Sequence, residues 1–277
     1  MGLNMPTFYK RTGSAIVFAA IMLTGLFWQE RWAFLILACL INALCLRDYF
    51  RLMQQIDKGA WWPGWLPIVI QITGFFLVMV FWVTKDDFGL EPILWGIFRI
   101  LPILPPLLLM ACTLFRKNAL TALMQAIGGL FYITLPLVLL TTLREYSFIL
   151  PIAVIVMIWI NDTMAYIVGS FIGKTPFSPI SPKKTWEGTG GGALLTIIAA
   201  VIYGHFASDI HWLHWMMLSL CVTVGGTLGD LLESKLKRMA DVKDSGTLMP
   251  GHGGALDRFD SLLIAVPFVF VYYIVAM

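Results

Sequence analysis

The chain has 277 residues, of which 59% are hydrophobic and only 13% are charged, and its formal net charge is +3. A soluble domain carries roughly 25% charged residues, about twice this share. Together with a mean hydropathy of +0.82, these values exclude an ordinary cytosolic enzyme, a disordered chain and a secreted disulfide scaffold. The apolar stretches also lack the polar alternation of a transmembrane barrel. The composition therefore predicts an all-α integral membrane protein.

Apolar runs separated by charged residues predict about nine transmembrane helices, because a bilayer core needs roughly twenty apolar residues per helix. The predicted spans are residues 13–28, 32–46, 65–83, 93–112, 119–142, 148–171, 190–207, 211–228 and 261–277. The first run ends in FWQERW, without the small residues of a signal-peptide cleavage site, so it is expected to be a retained span.

Positive charge is distributed unevenly between the predicted loops. Fifteen of the 19 Lys and Arg residues fall on one side of nine alternating spans and three fall on the other. Because cytoplasmic loops are enriched in Lys and Arg, this predicts a cytoplasmic N-terminus and a C-terminus outside. The spans divide into an N-terminal region, 1–147, with about five helices, and a C-terminal region, 148–277, with about four. The C-terminal region contains two cytoplasmic polar loops, 172–189 and 229–260.

The first polar loop follows a span that contains an acidic residue. Asp162 lies in an otherwise apolar run, where a carboxylate costs at least about 2.5–3.5 kcal/mol without a partner or a water-filled cavity. It is either a site carboxylate or part of a helix–helix hydrogen bond. Lys183 and Lys184 in SPKKTWEG are point charges that suit phosphate. The glycines at 188 and 190–192 either let backbone N–H groups approach a phosphate or allow close helix packing.

The second polar loop concentrates charges of both signs between Asp230 and Asp260. A solvated loop is the usual interpretation of such a run, but three features favour a functional site. The mixture of signs is unlike a lipid-binding basic patch, carboxylates stand at the ends of both flanking spans, and PGHGG is a constrained turn containing His252.

Two spans separate the loops, so both are expected on one membrane face. Carboxylates that hold Mg²⁺, beside lysines and arginine that neutralise phosphate, indicate phosphoryl or nucleotidyl transfer.

The residues of the second loop resemble a known family. SKLKRMADVKDSGTLMPGHGGALDRFD is similar to the signature of the phosphatidate cytidylyltransferases, or CDP-diacylglycerol synthases, and DTMAYIVGSFIGK, SPKKTWEG and GDLLES also resemble that family. The resemblance covers roughly residues 155–270. The matching signature positions are Ser234, Lys237, Arg238, Lys243, Asp244, Gly246, Pro250, His252, Gly253, Gly254, Asp257, Arg258 and Asp260. Met249 and Ala255 are mild apolar departures, and Asp48 in CLRDYF stands where many members have Glu.

The resemblance implies transfer of a cytidylyl group from CTP to phosphatidic acid, giving CDP-diacylglycerol and pyrophosphate. It implies Mg²⁺ as cofactor, with Mn²⁺ as a substitute and room for a second cation. The implied metal ligands are Asp230, Asp257 and Asp260. The implied catalytic residues are Asp230, Lys237, Asp257, Asp162 and Asp244. The implied substrate-binding residues are Lys183, Lys184, Ser234, Arg238, Lys243, His252, Gly253, Gly254 and Arg258.

The resemblance further implies a homodimer in a bacterial-type cytoplasmic (inner) membrane, with the active site facing the cytoplasm. Gly225-x-x-x-Gly229 is a weak candidate for the dimer face. No nucleic-acid partner is expected. Two other functions stay open: a related enzyme acting on an ether or isoprenoid lipid phosphate, and a cation or solute transporter that uses Asp162 and Asp230.

Overall fold

The structure is a computed structural model that describes residues 19–59, 64–82, 119–247 and 253–277, with scattered residues between 96 and 111. Within these ranges, six helices are long and apolar enough to cross a membrane, and Leu66–Val80 is a shorter apolar helix. The prediction of an all-α integral membrane protein is confirmed. The predicted span 93–112 lies outside the described ranges apart from scattered residues, and so do residues 13–18 of the predicted span 13–28, whose residues 19–27 are helical.

The chain divides into two compact units, the first containing residues 1–142 and 239–258. Its helices are α1 (Arg31–Ile56), α2 (Leu66–Trp82) and α3 (Ala119–Gly129), and a π-helical segment, Leu130–Thr134, leads into α4 (Leu135–Tyr146).

Buried polar contacts fix the packing of α1 in this unit. The Thr134 hydroxyl donates to Asn42 Oδ1 at 2.8 Å, and Tyr49 Oη donates to the carbonyl of Gln125 at 3.1 Å. Each bond gives a buried hydroxyl an acceptor, as an apolar environment favours. A Cβ at Gly74 would collide with Asn42 and Thr134, so glycine permits this close approach of α2.

The second unit contains residues 143–238 and 259–277. Its helices are α5 (Ile149–Ile172), α6 (Trp186–Phe206), α7 (Trp212–Met239) and α8 (Leu256–Ala276), which begins in the first unit. Between α5 and α6 lies an antiparallel hairpin of β1 (Pro176–Ser178) and β2 (Ser181–Thr185). The Thr185 hydroxyl accepts from Gly188 N at 3.1 Å and caps α6. The Glu187 carboxylate accepts from the backbone N–H groups of Lys174 and Thr175, which closes the base of the hairpin.

The predicted polar loops are partly helical. α7 continues to Met239 where the predicted span ended at 228, and α8 begins at Leu256 where it was expected at 261. α1 likewise runs to Ile56 where the prediction ended at 46. A loss of hydropathy marks where a helix leaves the bilayer, but intrahelical hydrogen bonds continue into water. At 28 residues, α7 is about 42 Å long, which exceeds a hydrocarbon core of about 30 Å.

Small residues line the face of α6 that packs on α5. Gly188, Gly192, Thr196, Ala200 and Gly204 are the buried residues of α6 and recur every four positions. A Cβ at Gly192 would meet the carbonyl oxygen of Asn161 and the backbone of Ala165, whereas one at Gly190 would meet nothing within 4 Å. The packing interpretation therefore accounts for Gly188 and Gly192.

The crowded Gly192 and the open Gly190 allow a matched pair of alanine substitutions in one helix. Gly192→Ala is expected to lower stability by about 1–3 kcal/mol through overpacking against backbone atoms. Gly190→Ala is expected to be neutral or to stabilise by up to about 1 kcal/mol, since alanine is the better helix former. Thermal unfolding of the two variants in one detergent measures the difference. Equal midpoints would contradict the close contact at Gly192.

Candidate active site

A pocket of about 520 Å³ lies in the second unit, between α5, the hairpin, α6 and α7. We call it the polar pocket because charged side chains line part of its otherwise largely apolar wall. Asp162 and Asn161 enter it from α5, Lys183 and Lys184 from β2, and Asp230 from α7. Four of the residues predicted from sequence to form a site are thus brought together here. The hairpin explains how: it folds the two lysines back toward the helices that carry the carboxylates.

An ion pair between Lys184 Nζ and Asp230 Oδ2 spans the pocket. Both side chains retain 29% exposure, so the pair is accessible to solvent and to ligands. Ser234, one turn after Asp230 on α7, donates from Oγ to Asp230 Oδ1 at 3.2 Å. Asp230 is therefore held by contacts to both carboxylate oxygens, as an oriented site carboxylate would be.

Two further carboxylates surround this pair. Asp162 Oδ1 accepts from Asn161 Nδ2 at 3.5 Å, and Asp162 interacts electrostatically with Lys184 and Asp230. Asp260, in the first turns of α8, interacts electrostatically with Asp230, Asp162 and Lys237, and its Oδ1 accepts from Ser261 N at 2.6 Å. Carboxylates this close repel one another unless a cation lies among them.

Lys237 contacts a residue that the sequence interpretation did not select. Its Nζ lies 2.5 Å from Glu233 Oε2, and the side chains of Lys237 and Glu233 are only 15% and 1% exposed. Lys237 lies seven residues after Asp230, about two turns along α7 and on a similar face of the helix, and its ion-pair partner is Glu233. In the sequence, the spacing of a Glu four residues before a Lys on one helix indicates such an ion pair.

Asp257 belongs to a second cluster, formed within the first unit. Its Oδ2 accepts three hydrogen bonds, from Ser245 N at 2.9 Å, Ser245 Oγ at 2.8 Å and Gly254 N at 2.7 Å. The preceding Gly253 has φ +85°, a left-handed conformation that favours glycine. Asp257 therefore folds the signature segment around its own carboxylate, and its assignment as a metal ligand stays a prediction.

Asp48 of α1 is a second residue that sequence reasoning left without a role. It is 6% exposed, and its Oδ2 accepts from Ala255 N at 2.6 Å and Leu256 N at 3.3 Å. A Cβ at Gly246 or Gly254 would collide with its carboxylate, so both signature glycines make room for it. The acid in CLRDYF thus anchors the start of α8.

Removing Asp48 is expected to weaken this anchor. Asp48→Ala leaves two N–H groups without an acceptor, at a cost of roughly 1–3 kcal/mol each. Asp48→Asn keeps one acceptor oxygen and should lose less. Asp57→Ala is the control, because Asp57 ends the same helix and accepts only a local bond from Gly59 among the hydrogen bonds described. Thermal unfolding ranks the variants. Similar midpoints for Asp48→Ala and Asp57→Ala would contradict the anchoring role.

The remaining predicted residues are exposed or outside the described ranges. The exposed ones are Lys183, Arg238, Lys243, Asp244 and Arg258. His252 lies outside the residues that the structure describes.

The donor set of the polar pocket fits a magnesium ion. Over the part of the chain that the structure describes, no group of three or more His, Cys, Asp or Glu residues is arranged to hold a metal. Mg²⁺ does not require one, because it keeps several waters and binds through one or two carboxylates plus substrate phosphates. Asp162 and Asp230 line the pocket and supply carboxylates of that kind, and Asp260 interacts electrostatically with both.

Comparisons with known proteins agree with this chemistry. A model of the cytidylyltransferase family matches residues 9–276. A Bacillus subtilis (strain 168) protein named phosphatidate cytidylyltransferase is 47% identical over 124 residues, which is 44% of this chain and 45% of that protein. A Haemophilus influenzae protein of the same name is 36% identical over 191 residues, 65% of each chain.

The matched stretches thus span from under half to about two thirds of these relatives. Helices long and apolar enough to cross a membrane, with a pocket lined by lysines and carboxylates, fit a membrane-embedded protein. Because the family model covers nearly the whole sequence, the chain belongs to the cytidylyltransferase family.

Proposed function

We propose that this protein transfers the cytidylyl group of CTP to phosphatidic acid, releasing pyrophosphate and forming CDP-diacylglycerol. The observation that carries the proposal is the Lys184–Asp230 ion pair in an open polar pocket, on the segment that resembles the family. The relatives that match this chain are named for the same reaction.

In this reaction an oxygen of the lipid phosphate forms a bond to the α-phosphorus of CTP. The bond from that phosphorus to the oxygen of the β-phosphate breaks, and pyrophosphate leaves with the electron pair. A phosphate monoester already carries about −1.5 to −2 charge near pH 7, so the nucleophile needs no strong general base. The obstacle is the approach of two polyanions, and the residues must neutralise and position them.

Lys184 and Lys183 would bind phosphate oxygens from the hairpin side. In the absence of substrate, Lys184 neutralises Asp230; an incoming phosphate competes for the lysine and frees the carboxylate. Asp230 and Asp260 would hold Mg²⁺, which supplies charge neutralisation and orientation of the nucleotide phosphates. Mn²⁺ would substitute for it because it accepts the same oxygen ligands. Ser234 keeps the Asp230 carboxylate oriented during this exchange.

The decisive assay is conversion of CTP and phosphatidate by purified protein, with and without Mg²⁺. Other nucleoside triphosphates and ether or isoprenoid lipid phosphates serve as competitors. We expect a liponucleotide and pyrophosphate in equal amounts, dependent on the metal. Preference for another lipid phosphate would change the substrate, and cation flux without liponucleotide would favour a transporter.

For topology we propose nine spans in a bacterial-type inner membrane, with the pocket facing the cytoplasm, where CTP is found. In a background without the four native cysteines, single cysteines at Ser178 and Thr247 should react with an impermeant thiol reagent in inverted vesicles and resist it in intact cells. Labelling in intact cells would indicate the opposite orientation.

We also propose a homodimer, tested by light scattering. Gly225 and Gly229 do not support it, because they pack on Ala265 and Asp260 of α8 within the chain.

A further inference from the structure

A second cavity, of about 290 Å³, lies between α5, α6 and α7 and is almost entirely apolar. Ile152 and Val156 of α5 and Ala199 of α6 line its walls. Thr196 also lines it, but the hydroxyl donates to the carbonyl of Gly192 at 2.8 Å and is satisfied within its own helix. The walls of the cavity are therefore suited to an apolar ligand rather than to a water-soluble one.

This cavity and the polar pocket are both lined by α5, α6 and α7. On α5, Met157 lines the apolar cavity, while Asn161 and Ala165 line the polar pocket; these residues are four positions apart and share one helix face. On α7, Trp215 lines the apolar cavity and Asp230 lines the polar pocket. Because the same three helices enclose both, a molecule with a charged head and an apolar tail fits the pair.

Two aromatic rings close the end of the cavity remote from the polar pocket. Tyr203 and Trp215 pack edge to face, with ring centroids 4.8 Å apart. Trp215 is 1% exposed, and its Nε1 donates to Ser208 Oγ at 2.9 Å. A Cβ at Gly204 would collide with the Trp215 ring, so the indole is held in place. The cavity thus has a rigid end.

The side of the cavity is open. Val156 and Ile149, on its α5 wall, keep 39% and 46% exposure in a helix that is long and apolar enough to span a membrane. A lipid could enter laterally from the bilayer without its chain leaving an apolar environment, since lipid tails and aliphatic side chains are equally apolar.

We propose that this cavity binds one fatty acyl chain of the lipid substrate, with Tyr203 and Trp215 setting the chain length that is accepted. The inference rests on the proposed function, since the phosphate of the same lipid would occupy the polar pocket. It adds a determinant of lipid specificity located on α5, α6 and α7, away from the signature residues.

The first test narrows the cavity. Ala199→Phe places a large ring in the wall, and Ile198→Phe is the matched control, because Ile198 is 45% exposed on the same helix and does not line the cavity. Dioleoyl and dioctanoyl phosphatidate are compared as substrates in mixed micelles. We expect Ala199→Phe to lower kcat/KM for the long-chain lipid relative to the short-chain lipid by about tenfold or more, with the KM for CTP unchanged.

The second test opens the end of the cavity that Tyr203 closes. It keeps the inference testable if Ala199→Phe does not fold. Tyr203→Ala should raise relative activity toward chains longer than oleoyl, whereas Ile202→Ala, at a 53% exposed position outside the cavity, should not. If wild-type protein converts both lipids but neither test variant departs from its control, the inference is overturned and the proposed function stands. If wild-type protein converts no phosphatidate, the proposed function itself fails.

Discussion

Asp230→Asn is expected to abolish turnover while leaving the protein folded. The substitution keeps the shape of the side chain and the Oδ1 that accepts from Ser234, but removes the negative charge that pairs with Lys184 and would hold the metal. Loss of an electrostatic contribution to a charged transition state is expected to cost several kcal/mol, and each 1.36 kcal/mol is tenfold in rate, so activity should fall by about a hundredfold or more. The measurement is initial rate of liponucleotide formation at saturating CTP and phosphatidate.

Asp209→Asn is the matched control, because Asp209 is an exposed acid in the connection between α6 and α7. It should keep wild-type activity. Folding of both variants is checked by thermal unfolding in the assay detergent. Near-normal activity of Asp230→Asn at ordinary Mg²⁺ would show that Asp230 is not a site residue. A loss of activity in Asp209→Asn equal to that in Asp230→Asn would show that the loss comes from the change in net charge.

The helical core of the protein could be predicted from hydropathy alone. A run of about twenty apolar residues forms an α-helix in a bilayer, because every backbone N–H and C=O must be hydrogen-bonded within the segment. The predicted spans 119–142 and 148–171 accordingly coincide closely with Ala119–Tyr146 and Ile149–Ile172. The positions at which helices end could not be predicted in the same way. Charged residues such as Lys235 and Arg238 are good helix formers, and they prolong α7 beyond its apolar part.

The polar pocket could be predicted only in part, because sequence shows which residues are charged but not which ones meet. Asp162, Asp230, Lys183 and Lys184 were identified from their unusual positions, and they line one pocket. Glu233 was not identified, because its pairing depends on the helical continuation of α7 past the predicted span.

Asp48 could not be placed from sequence for a different reason. The backbone N–H groups it accepts from belong to residues more than two hundred positions later in the chain. Hydrogen bonds to backbone groups leave no residue-specific pattern, since every non-proline residue offers the same donor. The glycines at 246 and 254 carry an indirect signal, namely the space that the carboxylate occupies, but a single sequence does not connect them to α1.

Lys237→Ala is expected to lose most activity, and Lys235→Ala is expected to lose little. Lys237 is nearly buried beside Glu233 and interacts electrostatically with Asp260, whereas Lys235, two residues earlier, is exposed. Breaking a buried ion pair by removing one partner costs about 3–5 kcal/mol, so Lys237→Ala should also unfold at lower temperature.

A second substitution separates the stability of the ion pair from catalysis. Combining Lys237→Ala with Glu233→Gln also removes the buried negative charge of the pair and should restore part of the stability. If Lys237 acts on substrate phosphate, the double variant regains its unfolding midpoint but stays inactive, because no cation is returned to the site. If the lysine serves only to neutralise Glu233, activity recovers together with stability. Lys237→Arg should be little more active than Lys237→Ala, whether residue 233 is Glu or Gln. The reason is that a planar guanidinium does not replace a compact ammonium in a confined position. Liponucleotide formation and thermal unfolding, measured on the same preparations, distinguish the two roles of this lysine.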